Sequence, residues 1–434
     1  MTLIQRFTGQ IAAVAALGIL IGCGSPETGG AKPNGTATNT SKGPETTPDA
    51  TAAARPVSPG AGNKAGGNTL LIGMVASVNG ELKPWGDDCV KGGQLAVEEV
   101  NAKGGIDGKK IDLRIGDSNS KPEQGKSAAE KLISDGVLGI VGEVASGITI
   151  QIAGSAFEKG IPVIAVGATR TDLTAKGNNI FRVCYTDAFQ GPVMATFAYK
   201  DLGLRKVAMM TDKKQPYSTG LSDSFRKKFA ELGGEIVDEQ FYESGQTTFS
   251  GQLTNLKAKN PDGLFMSGYF TEVGPIARQA KDAGLNVKML GGDGWDSSDL
   301  FTSGGEAIQG GYYCNHYSNK EQRPEVKDFI TRWTAKFGKE PATAMGALGY
   351  DATMLMLDAL KRAKTKDSKA LIDAIADTTD FPGISGKVTL KGNGGDPPKR
   401  ALIVQVGKGE LIPAKAYEWD EVMKGAAAGS TGQK

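Results

Sequence analysis

Ser146 lies in GEVASGIT (142–149), directly after the apolar run VLGIV, where a buried strand is expected to pass into a helix. Two chemistries place a hydroxyl there. A nucleophile elbow needs glycine on both sides, as G-x-S-x-G, and here Val144 and Ile148 hold those places. The one histidine, His316, sits in GYYCNHYS, a strand-like stretch expected at the edge of the second half, with no acidic neighbour to orient it. A hydrolase and most metal or general-base schemes are therefore disfavoured. The other chemistry is an anion cradle, because a helix N-terminus offers free N–H groups and the positive end of a dipole. The next crossover repeats the device, with PVIAV running into Gly167-Ala168-Thr169. Each hydroxyl alone reads as a helix cap or turn residue. Together, at adjacent strand ends, they favour a carboxylate site.

Two other motifs fail on spacing. Glu123–Ser127 reads EQGKS, but a phosphate loop needs glycine where Ser120 stands. Asp293, Asp296 and Asp299 in GGDGWDSSD are three apart rather than two, and no distal Glu closes a calcium loop. No metal or cofactor is expected.

The elements that must position these residues alternate with a steady beat. LLIGMVA, KIDLRIG, VLGIV and PVIAV read as apolar strands, separated by amphipathic helices that close on glycine. After IFRVCYTDAFQG the beat restarts with KVAMMT, GEIVDEQ, GLFMSG and VKMLGG. Strands apolar throughout, between such helices, imply parallel sheets covered on both faces. Two runs imply two doubly wound α/β lobes, with ligands drawn to the carboxyl ends of the strands and into the cleft between lobes.

The chain opens MTLIQRFTGQIAAVAALGILIGC, in which Arg6 precedes an apolar run of about a dozen residues, too short for a permanent span. Leu20-Ile21-Gly22-Cys23 resembles the bacterial lipobox, so residues 1–23 are expected to be a lipoprotein signal with Cys23 lipidated. Residues 24–68, rich in Gly, Pro, Thr, Ala and Ser, read as a flexible tether reaching about 35–40 Å. The formal net charge is +2 with no basic stripe, which excludes a nucleic-acid partner. Cys89, Cys184 and Cys314 remain, either as one disulfide with a leftover thiol or as three buried thiols.

Over residues 69–420 the order and spacing of AVEEVNAKGGIDGKKI, GEVAS, VGATRTDLT, FRVCYTDAFQG, DKKQPYSTG, SGYFTEVG and MLGGDGW are specific. On them the chain resembles the periplasmic leucine/isoleucine/valine-binding proteins, the substrate-binding components of ABC importers. The resemblance implies a type I periplasmic-binding fold whose lobes are joined by three crossover strands, near Asp187, Cys314 and Lys399. It implies lobe 1 over 69–187 and 315–398, lobe 2 over 188–314 and 399–420, and a disordered tail over 421–434. Carried over by residue, Ser146, Gly167, Ala168 and Thr169 would hold an α-carboxylate and Asp293 an α-ammonium. Tyr217 and Tyr269 would close over the ligand, and Trp85, with Met345, would border its side chain. Asp293 stands where glutamate is familiar in the family, and Gly167 where alanine is. Cys184 and Cys314 fall on crossover strands that lie side by side in this fold, and a bridge between them is favoured over pairings with Cys89.

The expected function is an extracytoplasmic, lipid-anchored, monomeric solute-binding protein that hands an α-amino acid, branched-chain or otherwise aliphatic, to an ABC permease in the inner membrane. It is not an enzyme. A second reading is a sensing module for an amide, urea or organic acid that reports to a membrane sensor.

Overall fold

The computed structural model describes residues 62–64 and 67–428. Cys23, the expected signal, most of the expected tether and residues 429–434 lie outside them.

The first sheet is parallel throughout, in the order β2-β1-β3-β4-β5. Its strands are β1 (Thr69–Ala76), β2 (Lys110–Asp117), β3 (Ile140–Val141), β4 (Val163–Ala165) and β5 (Ile180–Arg182). β3 has only two residues, but Ile140 and Val141 are fully buried. Each such side chain contributes about 1.5–3 kcal/mol, so packing rather than ladder length holds this strand. Helices α1 (Lys83–Ala102), α2 (Pro122–Ser134) and α3 (Ser146–Lys159) make the connections.

The second sheet runs β12-β11-β10-β9-β8-β6-β7. Strands β6 (Lys206–Asp212), β7 (Glu235–Tyr242), β8 (Gly263–Met266), β9 (Lys288–Gly291) and β10 (Tyr312–Asn315) are parallel, while β11 (Ala401–Val406) and β12 (Leu411–Tyr417) add an antiparallel hairpin. Helices α4 (Asp187–Thr196), α5 (Pro216–Glu231), α6 (Ser250–Lys257), α7 (Phe270–Asp282) and α8 (Asp299–Gly304) belong to this lobe. The chain then returns to the first lobe with α9 (Pro324–Phe337), α10 (Met345–Arg362) and α11 (Ser368–Ala376), and ends in α12 (Trp419–Ala428).

The returning segment packs through glycines. A Cβ on Gly92 of α1 would stand 2.3 Å from the Gly346 carbonyl oxygen, and one on Gly349 of α10 would stand 2.6 Å from that of Cys89. Any side chain there would push the two helices apart. Three passages join the lobes, after β5, after β10 and before β11, which is the two-lobed, doubly wound α/β fold expected.

Several expectations are corrected. β10 is interior to its sheet rather than at an edge, because β11 and β12 extend the sheet beyond it. Cys89, Cys184 and Cys314 are all free and buried, so the expected Cys184–Cys314 bridge is not formed. The Cys184 thiol donates instead to the Ala168 carbonyl at 3.4 Å, and burial pushes it up to about 12, leaving no thiolate to react. Residues 421–428, expected in a disordered tail, continue a helix whose first residue, Trp419, lies 4.8 Å from Phe189, ring to ring. At the other end, Asn63, expected in the tether, donates to the carbonyls of Ile133 and Val137. Among the described residues no helix is long and apolar enough to cross a membrane, and no cluster of His, Cys, Asp or Glu could hold a metal ion.

Candidate functional site

The first-lobe side of the cleft is a pair of turns held from behind by buried charges. After β3 the Glu143 carboxylate is buried and accepts four hydrogen bonds. They come from Ser77 Oγ at 2.5 Å, Ser118 Oγ at 2.9 Å, and the N–H groups of Val144 and Ala145 at 2.8 Å. Ser77 and Ser118 follow β1 and β2, so one carboxylate ties three strand ends together. Burial raises the Glu143 carboxyl, while these donors pull it back toward the ionised form.

The turn delivers α3, whose N-cap is Ala145 and has no side-chain cap. Ser146 is thus the first helical residue rather than a cap. Its Oγ accepts from the Arg170 N–H at 3.3 Å, and the helix ladder begins only with Thr149 N–H to Ala145 at 3.0 Å. The N–H groups of Ser146, Gly147 and Ile148 precede that first bond and have no intrahelical acceptor.

Behind the second turn, Arg182 is fully buried. It donates to the carbonyls of Ala168 at 2.7 Å and Arg170 at 2.9 Å, and pairs with Asp396 at 2.6 Å. Gly167 explains its own identity, since an added Cβ would come within 3.0 Å of both Met345 Sδ and Val144 Cγ1.

On the second-lobe side, Tyr217 and Tyr269 stack at 5.1 Å, and Trp85 meets Tyr269 edge-on at 5.1 Å across the cleft. The Tyr217 hydroxyl accepts from the Gly294 N–H at 2.9 Å. The Tyr269 hydroxyl is buried near the Ser146 N–H without completing a hydrogen bond. Asp293 opens a short 3-10 turn after β9. One of its carboxylate oxygens lies 2.9 Å from His316 Nε2, and the other accepts from Gln190 Nε2 at 2.9 Å. The same Gln190 nitrogen donates to Asp187 at 2.8 Å.

His316 is therefore not isolated. It is fully buried and stacks on Tyr185 at 3.9 Å. Burial holds its pKa below the ordinary histidine range, so the ring is neutral at pH 7, and Nε2 must carry the proton that the carboxylate accepts. Burial, then the charge of Asp293, raises the Asp187 carboxyl to about 7. Asp187 Oδ2 has no hydrogen-bond partner. Among the described residues no lysine or arginine pairs with Asp187 or Asp293 within ion-pair distance.

Trp85, Ser146, Gly167, Tyr217, Tyr269 and Asp293 line one small pocket, together with Val144, Gly294 and Met345. Ala168 and Thr169 do not reach it. Ala168 gives its carbonyl to Arg182 and Cys184, and the buried Thr169 hydroxyl faces Gln190 at 3.4 Å. Glu143, Arg182, Asp187, Gln190 and His316 are not legible as site residues in the sequence. A buried carboxylate or guanidinium looks like any surface charge until its partners, up to 214 positions away for Arg182 and Asp396, are known.

Two lobes, a cleft closed by facing aromatics and polar groups of opposite character at its two ends define a solute-binding protein rather than an enzyme. The family model described as periplasmic binding protein matches residues 69–410, and the chain belongs to that family. It is 34% identical over 350 residues to the Leu/Ile/Val-binding protein BraC3 of Rhizobium johnstonii, covering 80% of this chain and 94% of that one. The leucine-binding protein LivK of Thermotoga maritima superposes with a TM-score of 0.76 at 36% identity, over 80% of this chain and 99% of that one. LivJ of Streptococcus pneumoniae, a branched-chain amino acid transporter substrate-binding protein in complex with isoleucine, superposes with a TM-score of 0.76 at 31% identity, over 81% and 99%. Family membership places the protein outside the cytoplasm.

Proposed function

We propose that the protein captures an α-amino acid with an aliphatic side chain and delivers it, as a monomer, to an ABC permease in the inner membrane. One observation carries this reading. The buried Asp293 carboxylate has no lysine or arginine within ion-pair distance and lines the same small pocket as Ser146, the first residue of a helix whose opening N–H groups have no intrahelical acceptor. A zwitterion satisfies both ends, its ammonium supplying the missing cation and its carboxylate the missing acceptor. Nine residues line the pocket, which suits a compact solute. Trp85, Val144 and Met345 supply its apolar wall. The family relatives described as leucine- and isoleucine-binding support the same class.

Titration calorimetry against the twenty amino acids, urea, acetamide and benzoate tests the reading. Leucine, isoleucine or valine is expected to bind tightest. Binding of benzoate or an amide with no response to any amino acid would overturn it. We propose further that Cys23 carries the lipid that holds the protein at the membrane. Cys23→Ser should then release the protein or leave an unprocessed precursor, and unchanged partitioning and processing would refute the anchor.

A further inference from the structure

We propose that Asp296 is the latch that couples solute capture to closure of the lobes, a positioning residue that touches the first lobe rather than the ligand. The proposal rests on the binding reading above. Asp296 is 1% exposed and ends the turn that begins at Asp293, donating its N–H to the Asp293 carbonyl at 3.0 Å. Within its own lobe its Oδ1 accepts from Tyr313 Oη and Asn315 Nδ2, both at 3.0 Å. Those two donors aim the carboxylate before closure. Its Oδ2 accepts from the Ala344 N–H of the first lobe at 2.5 Å.

Ala344 is the N-cap of the 18-residue α10, where free N–H groups and the helix dipole favour an anion. The Asp296 backbone carbonyl accepts from Trp85 Nε1 at 2.7 Å, also from the first lobe. One residue thus bonds across the cleft to both α1 and α10, the two helices that pack on each other through glycine. Opening the cleft would strip a buried, cation-free carboxylate of its first-lobe donor. The ligand-facing Asp293 lies three residues earlier in the same turn, so whatever fixes that turn presents the latch.

The test is Asp296→Asn, which keeps shape but sets an amide N–H or a weaker acceptor against Ala344. With L-leucine as probe, stopped-flow tryptophan fluorescence should show dissociation at least about tenfold faster, the loss expected for a hydrogen bond to a charged group. Association and the ligand-free melting temperature should be unchanged. Ala344→Pro is the companion variant, because the native φ of −63° accepts proline while the N–H is lost. The two variants should be non-additive. An unchanged dissociation rate in both overturns the latch. So does a ligand-free melting temperature that falls in step with affinity, because the residue would then be structural. If the wild type fails to bind leucine, the ligand reading fails, and the latch is read with whichever screened solute binds. Binding of none overturns both.

Discussion

At the first-lobe end of the cleft the buried charges already have their partners, whereas at the second-lobe end two carboxylates share a single glutamine. Glu143 takes four donors, and Arg182 pairs with Asp396 while holding two carbonyls. Their charges shape backbone rather than meet the solute, and what faces the cleft is neutral: the Ser146 hydroxyl and N–H groups at the start of a helix. Asp187 and Asp293 are arranged the other way, buried beside a neutral histidine with one oxygen unpartnered. The contrast suggests a division of labour. On the proposed reading, one end is held by partners within the protein, and the other is completed by an incoming cation.

The largest expected effect tests the end held by internal partners. Glu143→Ala would leave the hydroxyls of Ser77 and Ser118 and the N–H groups of Val144 and Ala145 without their acceptor. At about 1–3 kcal/mol for each buried unsatisfied group, partly relieved by water, urea denaturation should show a stability loss of about 3 kcal/mol or more. A loss within about 0.5 kcal/mol, the range of an ordinary surface change, would mean that the turn holds itself.

Next comes the end that waits for a cation. Asp293→Asn should weaken an amino-acid ligand at least about thirtyfold, the low end of the cost of stranding a buried charge. The deaminated acid should be barely affected, if it binds at all. Equal losses for both in calorimetry would show that Asp293 meets no ammonium and would dissolve the contrast.

Ser146→Ala is expected to cost about 1.5–3 kcal/mol of binding, or roughly 10- to 150-fold, with little change in stability because Ala145 and not Ser146 caps the helix. Less than a twofold loss would leave only the backbone amides as the cradle.

The smallest effect is a pH dependence. The Asp187 carboxyl is raised to about 7 by burial and by Asp293, and an ammonium that neutralises Asp293 would favour its ionised form. A pKa that is lower in the complex than in the free protein means that binding releases a proton. Affinity should therefore be full above about 7 and fall by up to about tenfold per pH unit below it. Gln190, Thr169 and Arg182 also act on Asp187, each favouring its ionised form. His316 lies below its ordinary range, so its own step falls at lower pH. Asp187→Asn should flatten the profile, and a profile that keeps its slope would assign the titration elsewhere.

The sequence by itself carried the beat of strands and helices, because apolar runs with both faces buried and glycine-closed helices are local patterns. It also carried Ser146, Gly167 and Asp293, since each stands at a strand end where a backbone turn exposes it. Only the tertiary structure decided which charges organise and which await a partner. His316 reads as isolated in sequence, yet β10 is interior and brings it to 2.9 Å from Asp293, 23 residues away. Cys184 and Cys314 stand at two of the passages between the lobes, but Cys184 lies past the end of β5 and its thiol is turned to the Ala168 carbonyl. Asp296 looks like a turn residue of an acidic loop until α10 places the Ala344 N–H against it from 48 positions away. The physical reason is the same in each case. A polar side chain's role depends on the few groups within hydrogen-bond reach once water is excluded, and chain folding, rather than sequence spacing, chooses those groups.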